Sequence, residues 1–178
     1  MTEEKKLKNG EAYFVREAFP DDAESMLTYL DNISSESDFL TFGSGELVLT
    51  SDQEKSFIES SLKSKDQLFL VAIYDNKIIG NLHFESGSRA RIKHVGEFGV
   101  SVLKDFWGNG IASGLITNLI IWSKNNSISK INLKVREDNE SAILLYQKLG
   151  FQEEGFLERD FFVNRKYYGS YMMGFKID

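Results

Sequence analysis

Apolar residues recur along this chain in two rhythms. Residues 12–18 alternate, which predicts a first strand. Ala23, Met26, Leu27, Leu30 and Ile33 then recur at helical spacing and predict a helix over 20–33, with Pro20 in its first turn and Asp21 and Asp22 at its positive end. Residues 34–46 are polar and glycine-containing, with Phe39, Leu40 and Phe42 embedded. They read as a loop whose aromatics either anchor it to the core or wall a site. Ser51-Asp52-Gln53-Glu54 has the form of a capping box and opens a helix to about Lys65. Two strands follow, 68–74 and 77–85, around a tight turn at Asp75-Asn76, and another spans 93–102. A helix over 110–124 buries Ile111, Leu115, Ile116, Leu119 and Trp122. The segment 130–135 alternates, 139–149 forms a short helix ended by Gly150, and 151–158 and 168–177 close the chain as strands. The order β-α-α-β-β-β-α-β-α-β-β describes a mixed α/β fold, with helices on both faces of a mixed sheet.

Composition narrows the possibilities. With 178 residues and 42% hydrophobic content, residues 1–178 read as one domain with a real core, preceded by a flexible tail over 1–10. The absence of cysteine excludes disulfides, thiolate metal sites and a cysteine nucleophile. Only His83 and His94 are present, so no metal is expected. A net charge of −6 argues against nucleic acid as a partner and mildly favours a cationic or amine substrate. The charged N-terminal segment lacks a signal-peptide pattern, and no apolar run approaches the ~20 residues that span a bilayer. A cytoplasmic protein without membrane partners is the expectation.

Two motifs carry chemistry. The first is WGNGIA, residues 107–112, between an apolar strand and an amphipathic helix. Glycines there let backbone N–H groups wrap an anion, and the helix adds the positive end of its dipole. Taken alone, such a turn is also compatible with plain structural glycines. A dinucleotide site would use similar glycines, but in the first βαβ unit of the chain, and no lysine completes a Walker loop. The second motif is DNESAILLYQKLGF, residues 138–151. Asn139 and Tyr146 lie about two helical turns apart, on one face and separated by about 10 Å. They could grip an extended amide-bearing ligand at two heights, or serve as a helix cap and a core tyrosine.

Together, VSVLKDFWGNGIA and INLKVREDNESAILLYQKLGF resemble the GCN5-related N-acetyltransferase (GNAT) family, as does the whole order of elements. The resemblance implies that family's fold, with a mixed central sheet of about six to seven strands. It also implies acetyl-CoA as co-substrate. The pyrophosphate would rest on backbone N–H groups of Gly108, Asn109, Gly110, Ile111 and Ala112, with Ser113 adding a hydroxyl. Trp107 stands where the family usually has glutamine or arginine. Val100 and Val102 would pair with the pantetheine arm as an added pseudo-strand, in a gap before the strand at 130–135. Asn139 would hydrogen-bond the arm, Ser141 would approach the phosphate end, and Tyr146 would lie near the thioester sulfur.

The implied chemistry is direct, sequential transfer of acetyl to a primary amine: a small amine, an amino acid, or a protein or peptide N-terminus. Tyr146 would protonate the leaving thiolate, an N–H near Val100 would stabilise the oxyanion, and Glu97 or a water chain would take the amine proton. Glu97 is equally readable as a solvated strand residue. The histidines read as packing or surface residues, and Arg89, Arg91 and Lys93 as a solvated turn. Acceptor contacts are expected from 33–47 and 160–169, and the closing strands could pair two subunits into a homodimer. A rival reading is a non-catalytic acyl-CoA-binding or sensing domain on the same fold.

Overall fold

The computed structural model describes residues 2–177. Its elements are β1 (Thr2–Lys6), β2 (Ala12–Glu17), α1 (Ala23–Glu36), α2 (Ser51–Lys63), β3 (Gln67–Tyr74), β4 (Lys77–Ser86), β5 (Val95–Val102), α3 (Ile111–Asn125), β6 (Lys130–Arg136), α4 (Glu140–Lys148), β7 (Gln152–Val163) and β8 (Lys166–Lys176). All eight strands join one sheet in the order β1-β2-β3-β4-β5-β6-β8-β7. Neighbours run antiparallel except β5 and β6, which are parallel. Side chains alternate between two cores. Leu70, Leu82, Phe84, Phe98, Ile131 and Leu133 pack against Ile111, Leu115 and Leu119 of α3 and Tyr146 of α4. On the other face Phe69, Val71 and Ile78 pack against Met26, Tyr29 and Ile33 of α1 and Ile58 of α2. Each such side chain contributes roughly 1.5–3 kcal/mol by leaving water.

Three expectations need correction. The sheet has one strand more than the upper expectation, and that strand, β1, lies inside the stretch read as a flexible tail. It lacks apolar alternation because charged side chains do its packing. Lys5 lays its stem on Gly114, where a Cβ would lie 3.1 Å from Lys5 Cε, and Asn118 Nδ2 donates to Glu3 Oε2 at 2.8 Å. The capping box of α2 begins one residue earlier than Ser51. Thr50 Oγ1 accepts from Gln53 N at 3.2 Å, and Gln53 Oε1 accepts from Thr50 N at 2.9 Å. Finally, the stretch 160–169 is the tip of a long hairpin. Asn164 and Arg165, with φ of 50° and 62°, form the two-residue turn between β7 and β8, as the right-handed twist of the flanking strands favours.

Candidate active site

The parallel pair β5–β6 is short. Only Val95, Gly96 and Glu97 pair with Lys130, Ile131 and Asn132. Beyond that point β6 stays with β8 as far as Arg136, and β5 stays with β4 as far as Val102. Residues 98–102 of β5 therefore have a strand partner on one edge only, and alternate backbone groups on the other edge face a gap. Val100 and Val102 lie half-buried along this free edge.

The glycine loop follows directly. A 3₁₀ turn at Lys104–Phe106 reverses the chain, and Trp107 Nε1 donates to Val102 O at 2.6 Å, pinning the loop to the end of β5. Asn109 is also committed within the protein. Its Nδ2 donates to Phe106 O at 3.1 Å, and its Oδ1 accepts from Lys8 N at 3.0 Å. Gly108 and Gly110 sit at φ of 75° and 79°, where a side chain would be strained. Gly110 is the N-cap of α3, and no side chain caps that helix. The first-turn N–H groups of Ile111, Ala112 and Ser113 thus lack the usual side-chain acceptor. A Cβ on Gly110 would meet nothing within 4 Å, so the cradle is open. An anionic phosphate group fits these donors, through backbone rather than through the side chains of Trp107 and Asn109.

On the same face of the sheet, α4 packs Tyr146 against Phe98 of β5, just past its last pairing with β6, and opens after Asn139, whose N–H donates to Arg136 O at the end of β6. Asn139 is the helix cap: its Oδ1 accepts from Ala142 N at 3.3 Å and from Ser141 Oγ at 3.3 Å. Its carboxamide NH₂ makes no hydrogen bond among the described residues and remains a free donor. Tyr146 is buried edge-to-face against Phe98 and Phe151, with ring centroids 6.1 and 5.9 Å apart. Burial alone pushes its phenol up to about 12. Its hydroxyl has no partner among the described residues. Asn139 thus caps the helix and Tyr146 is a core ring, and each keeps one polar group without a partner among the described residues.

Glu97 precedes Phe98 and so points to the opposite face, where it is exposed and unpaired, directly across from Glu85 of β4. Like charges placed opposite each other repel, which favours a cation between or beside them. Two further groups on this face were missed by sequence reasoning. Tyr29 of α1 bonds Ser101 of β5 at 2.8 Å, and Ser101 Oγ donates to Asn81 Oδ1 at 2.7 Å. Burial raises the Tyr29 phenol well above its usual range. Arg136 ends β6 with only 5% of its surface exposed. It forks onto Asp138, with Nε–Oδ1 at 2.6 Å and Nη2–Oδ2 at 3.1 Å, and donates through Nη1 to Asp38 O at 2.5 Å. Its guanidinium lies 4.4 Å from the centroids of both Phe39 and Tyr168. One cation thereby ties the loop after α1 to the β7–β8 hairpin and to the start of α4. No local signal marked Arg136, which continues the polar positions Lys130, Asn132 and Lys134 of an alternating strand.

Of the histidines, His83 lies on this same face, opposite Gly99 and between the Asn81–Ser101 and Glu85–Glu97 pairs. His83 packs against the rings of Phe57 and Phe69, at 5.0 and 5.5 Å, and burial lowers its imidazole against the opposing pull of Glu85. His94 is exposed, its carbonyl capping the start of β6. Arg89, Arg91 and Lys93 are exposed in the turn before β5, a strand's length from the glycine loop. Among the described residues no group of His, Asp or Glu could hold a metal ion.

The comparisons with known proteins point the same way. A family model described as the acetyltransferase (GNAT) family matches residues 28–151. The L-amino acid N-acetyltransferase AaaT of Escherichia coli K12 is 34% identical over 105 residues, which cover 58% of this chain and 65% of that protein. An acetyltransferase of Pectobacterium atrosepticum is 36% identical over 96 residues, covering 53% of this chain and 64% of that one. The chain thus spans just under two thirds of these curated relatives. Among solved structures, a GNAT-family acetyltransferase from Streptococcus pneumoniae superimposes with a TM-score of 0.90 at 32% identity, covering 93% of this chain and 99% of that one. YncA of Salmonella typhimurium, solved with acetyl-CoA, shares the fold with a TM-score of 0.82 at 16% identity, covering 94% and 95%. The family match runs from within α1 to the end of α4 and takes in the separated strands and the glycine loop, and on that ground the chain belongs to the acetyltransferase (GNAT) family.

Proposed function

We propose that this chain is an acetyl-CoA-dependent N-acetyltransferase acting on a primary amine. The observation that carries the reading is the separation of β5 from β6 after Glu97, immediately before an open, uncapped glycine loop. The backbone N–H groups from Gly108 to Ser113 would hold the pyrophosphate. The free edge of β5 at Val100, and the N–H of Val102, whose carbonyl already accepts from Trp107, would pair with the amide-bearing arm, and the free NH₂ of Asn139 would donate to it, with Ser141 beside the cap. Bound acetyl-CoA supplies an activated acetyl thioester. Tyr146 keeps its proton at any ordinary pH and holds it on the α4 side of the gap, ready for a departing thiolate. Glu97 presents a carboxylate on the other side, where it attracts an ammonium and accepts its proton. An amino-acid acceptor is the first to try, because AaaT bears that name. No helix among the described residues is long and apolar enough to cross a membrane, which is compatible with a cytoplasmic setting.

The test combines calorimetric titration with acetyl-CoA and a thiol-release screen over L-amino acids, polyamines and short peptides. Binding together with turnover of at least one amine is expected. Absence of acetyl-CoA binding would overturn the reading. Tight binding with no turnover on any amine would favour the sensing alternative.

A further inference from the structure

We infer that Lys8, in the turn between β1 and β2, is a phosphate-binding residue of the acyl-CoA site, its ammonium neutralising the pyrophosphate at Gly108. The inference rests on the acetyl-CoA reading above and adds a residue that neither motif contains. The glycine loop is short of charge. Residues 107–117 include no lysine or arginine, and the two side chains best placed to help, Trp107 and Asn109, are bonded within the protein. A helix dipole offers only about half a positive charge, against two negative charges on a pyrophosphate.

The turn between β1 and β2 brings the missing cation. It closes on itself through Leu7 N to Glu11 O at 2.8 Å and Gly10 N to Leu7 O at 2.9 Å, and Leu7 is buried. Lys8 N then donates to Asn109 Oδ1 at 3.0 Å across 101 positions of sequence, docking the turn on the loop. This fixes the backbone of Lys8 and leaves its side chain free. Its Nζ lies 3.6 Å from the point where a Cβ on Gly108 would stand. Among the described residues that ammonium has neither a carboxylate nor a hydrogen-bond acceptor. The nearby Lys5 is neutralised by Glu3 at 2.8 Å, and the Glu11 carboxylate is taken up by Tyr74 at 2.7 Å and by Asn9. Glu11 and Asp105 line the same cavity, but neither forms an ion pair with Lys8, so this exposed lysine, held by its backbone at an anion cradle, is in position to pair with the ligand.

Lys8→Gln removes the charge and keeps the backbone N–H bond to Asn109, so the loop stays docked. Calorimetric titration should show acetyl-CoA binding about tenfold more weakly, as expected for losing one charge-assisted hydrogen bond at a partly solvated site. Its salt dependence should flatten relative to wild type, and Lys8→Arg should stay within about twofold of wild type. The same loss is expected with 3′-dephospho-CoA. Equal affinity of Lys8→Gln and wild type would overturn the inference and leave the acetyl-CoA reading intact, whereas a wild type that binds no acetyl-CoA removes that reading itself. A loss that disappears with 3′-dephospho-CoA would move the ammonium to the 3′-phosphate and overturn the pyrophosphate assignment. A Lys8→Arg variant as weak as Lys8→Gln would overturn the charge role. Unchanged melting temperatures across the set show that binding, not folding, is being read.

Discussion

The two faces of the sheet approach the separation of β5 and β6 with different materials. On the α3–α4 face the cradle is mostly backbone: two left-handed glycines, an uncapped helix start and an unpaired strand edge. On the α1–α2 face the surface is made of side chains already bonded to partners far away in sequence. Tyr29 and Ser101 are 72 positions apart, and Arg136 and Asp38 are 98 apart. A backbone site tolerates most side-chain changes and fails only where a Cβ intrudes. A side-chain network fails gradually, one bond at a time, and sets what may sit against it. The first suits a co-substrate common to a family, the second an acceptor that differs between members.

The sharpest way to break this contrast is at Gly110. Gly110→Val places a β-branched side chain at a φ of 79° in the open cradle. Losing the backbone contacts to a pyrophosphate should cost about 3 kcal/mol or more, over 100-fold in acetyl-CoA affinity. Titration calorimetry on a variant with a wild-type circular dichroism spectrum decides it. Unchanged affinity would show that the cradle is not where the co-substrate sits.

Glu97 tests the other face. If its carboxylate takes the amine proton, Glu97→Gln should lower turnover about 100-fold and remove the acidic limb of the kcat/KM profile, with acetyl-CoA affinity unchanged. A variant that keeps the wild-type pH profile would hand the role to water.

Tyr146 lies on the backbone-built face, but the role proposed for it runs through a side-chain hydroxyl, and its effect should be smaller. Tyr146→Phe keeps the ring between Phe98 and Phe151 and deletes only the donor. A thiolate is already a tolerable leaving group, so kcat should fall about tenfold with acetyl-CoA affinity preserved. The pH dependence has a definite sign. Burial raises the folded phenol to about 12, above the usual value near 10. The neutral form therefore contributes stability that is fully present below about pH 10 and is lost as pH rises through about 12. Between about pH 6 and 10 the rate profile of Tyr146→Phe should be lowered as a whole without a change of shape. A deficit confined to alkaline pH would mean that the phenol titrates there, against its burial.

The same contrast explains what the sequence disclosed. The glycine loop, the parallel strands around it and α4 were legible because their signals are local: apolar spacing, glycines at a turn, an asparagine before a helix. β1 was not, since its packing on α3 uses Glu3 and Lys5 rather than an apolar alternation. The length of the β7–β8 hairpin was hidden because its turn, Asn164-Arg165, lacks the glycine that usually marks one. Arg136 was not legible, because its partners Asp38, Phe39 and Tyr168 come from two other segments.

Arg136 also offers the finest test of the comparison. Arg136→Lys retains the charge and part of the apolar stem, but a lysine cannot fork onto Asp138, reach Asp38 O at the same time and stack flat between two rings. The loop after α1 and the hairpin tip would lose their common tie, while the cradle around Gly110 would be untouched. Stability should fall by about 1–2 kcal/mol, since a buried, multiply bonded guanidinium is replaced by a group that satisfies fewer partners. With an acceptor found in the screen, its KM should rise about three- to fivefold, with kcat and the acetyl-CoA dissociation constant within about twofold of wild type. If the melting temperature falls and the acceptor KM does not move, Arg136 holds the fold and does not shape the acceptor side. An acetyl-CoA constant that weakens as much as the acceptor KM would mean that Asp138 transmits the change into α4, and the two faces would then act as one site.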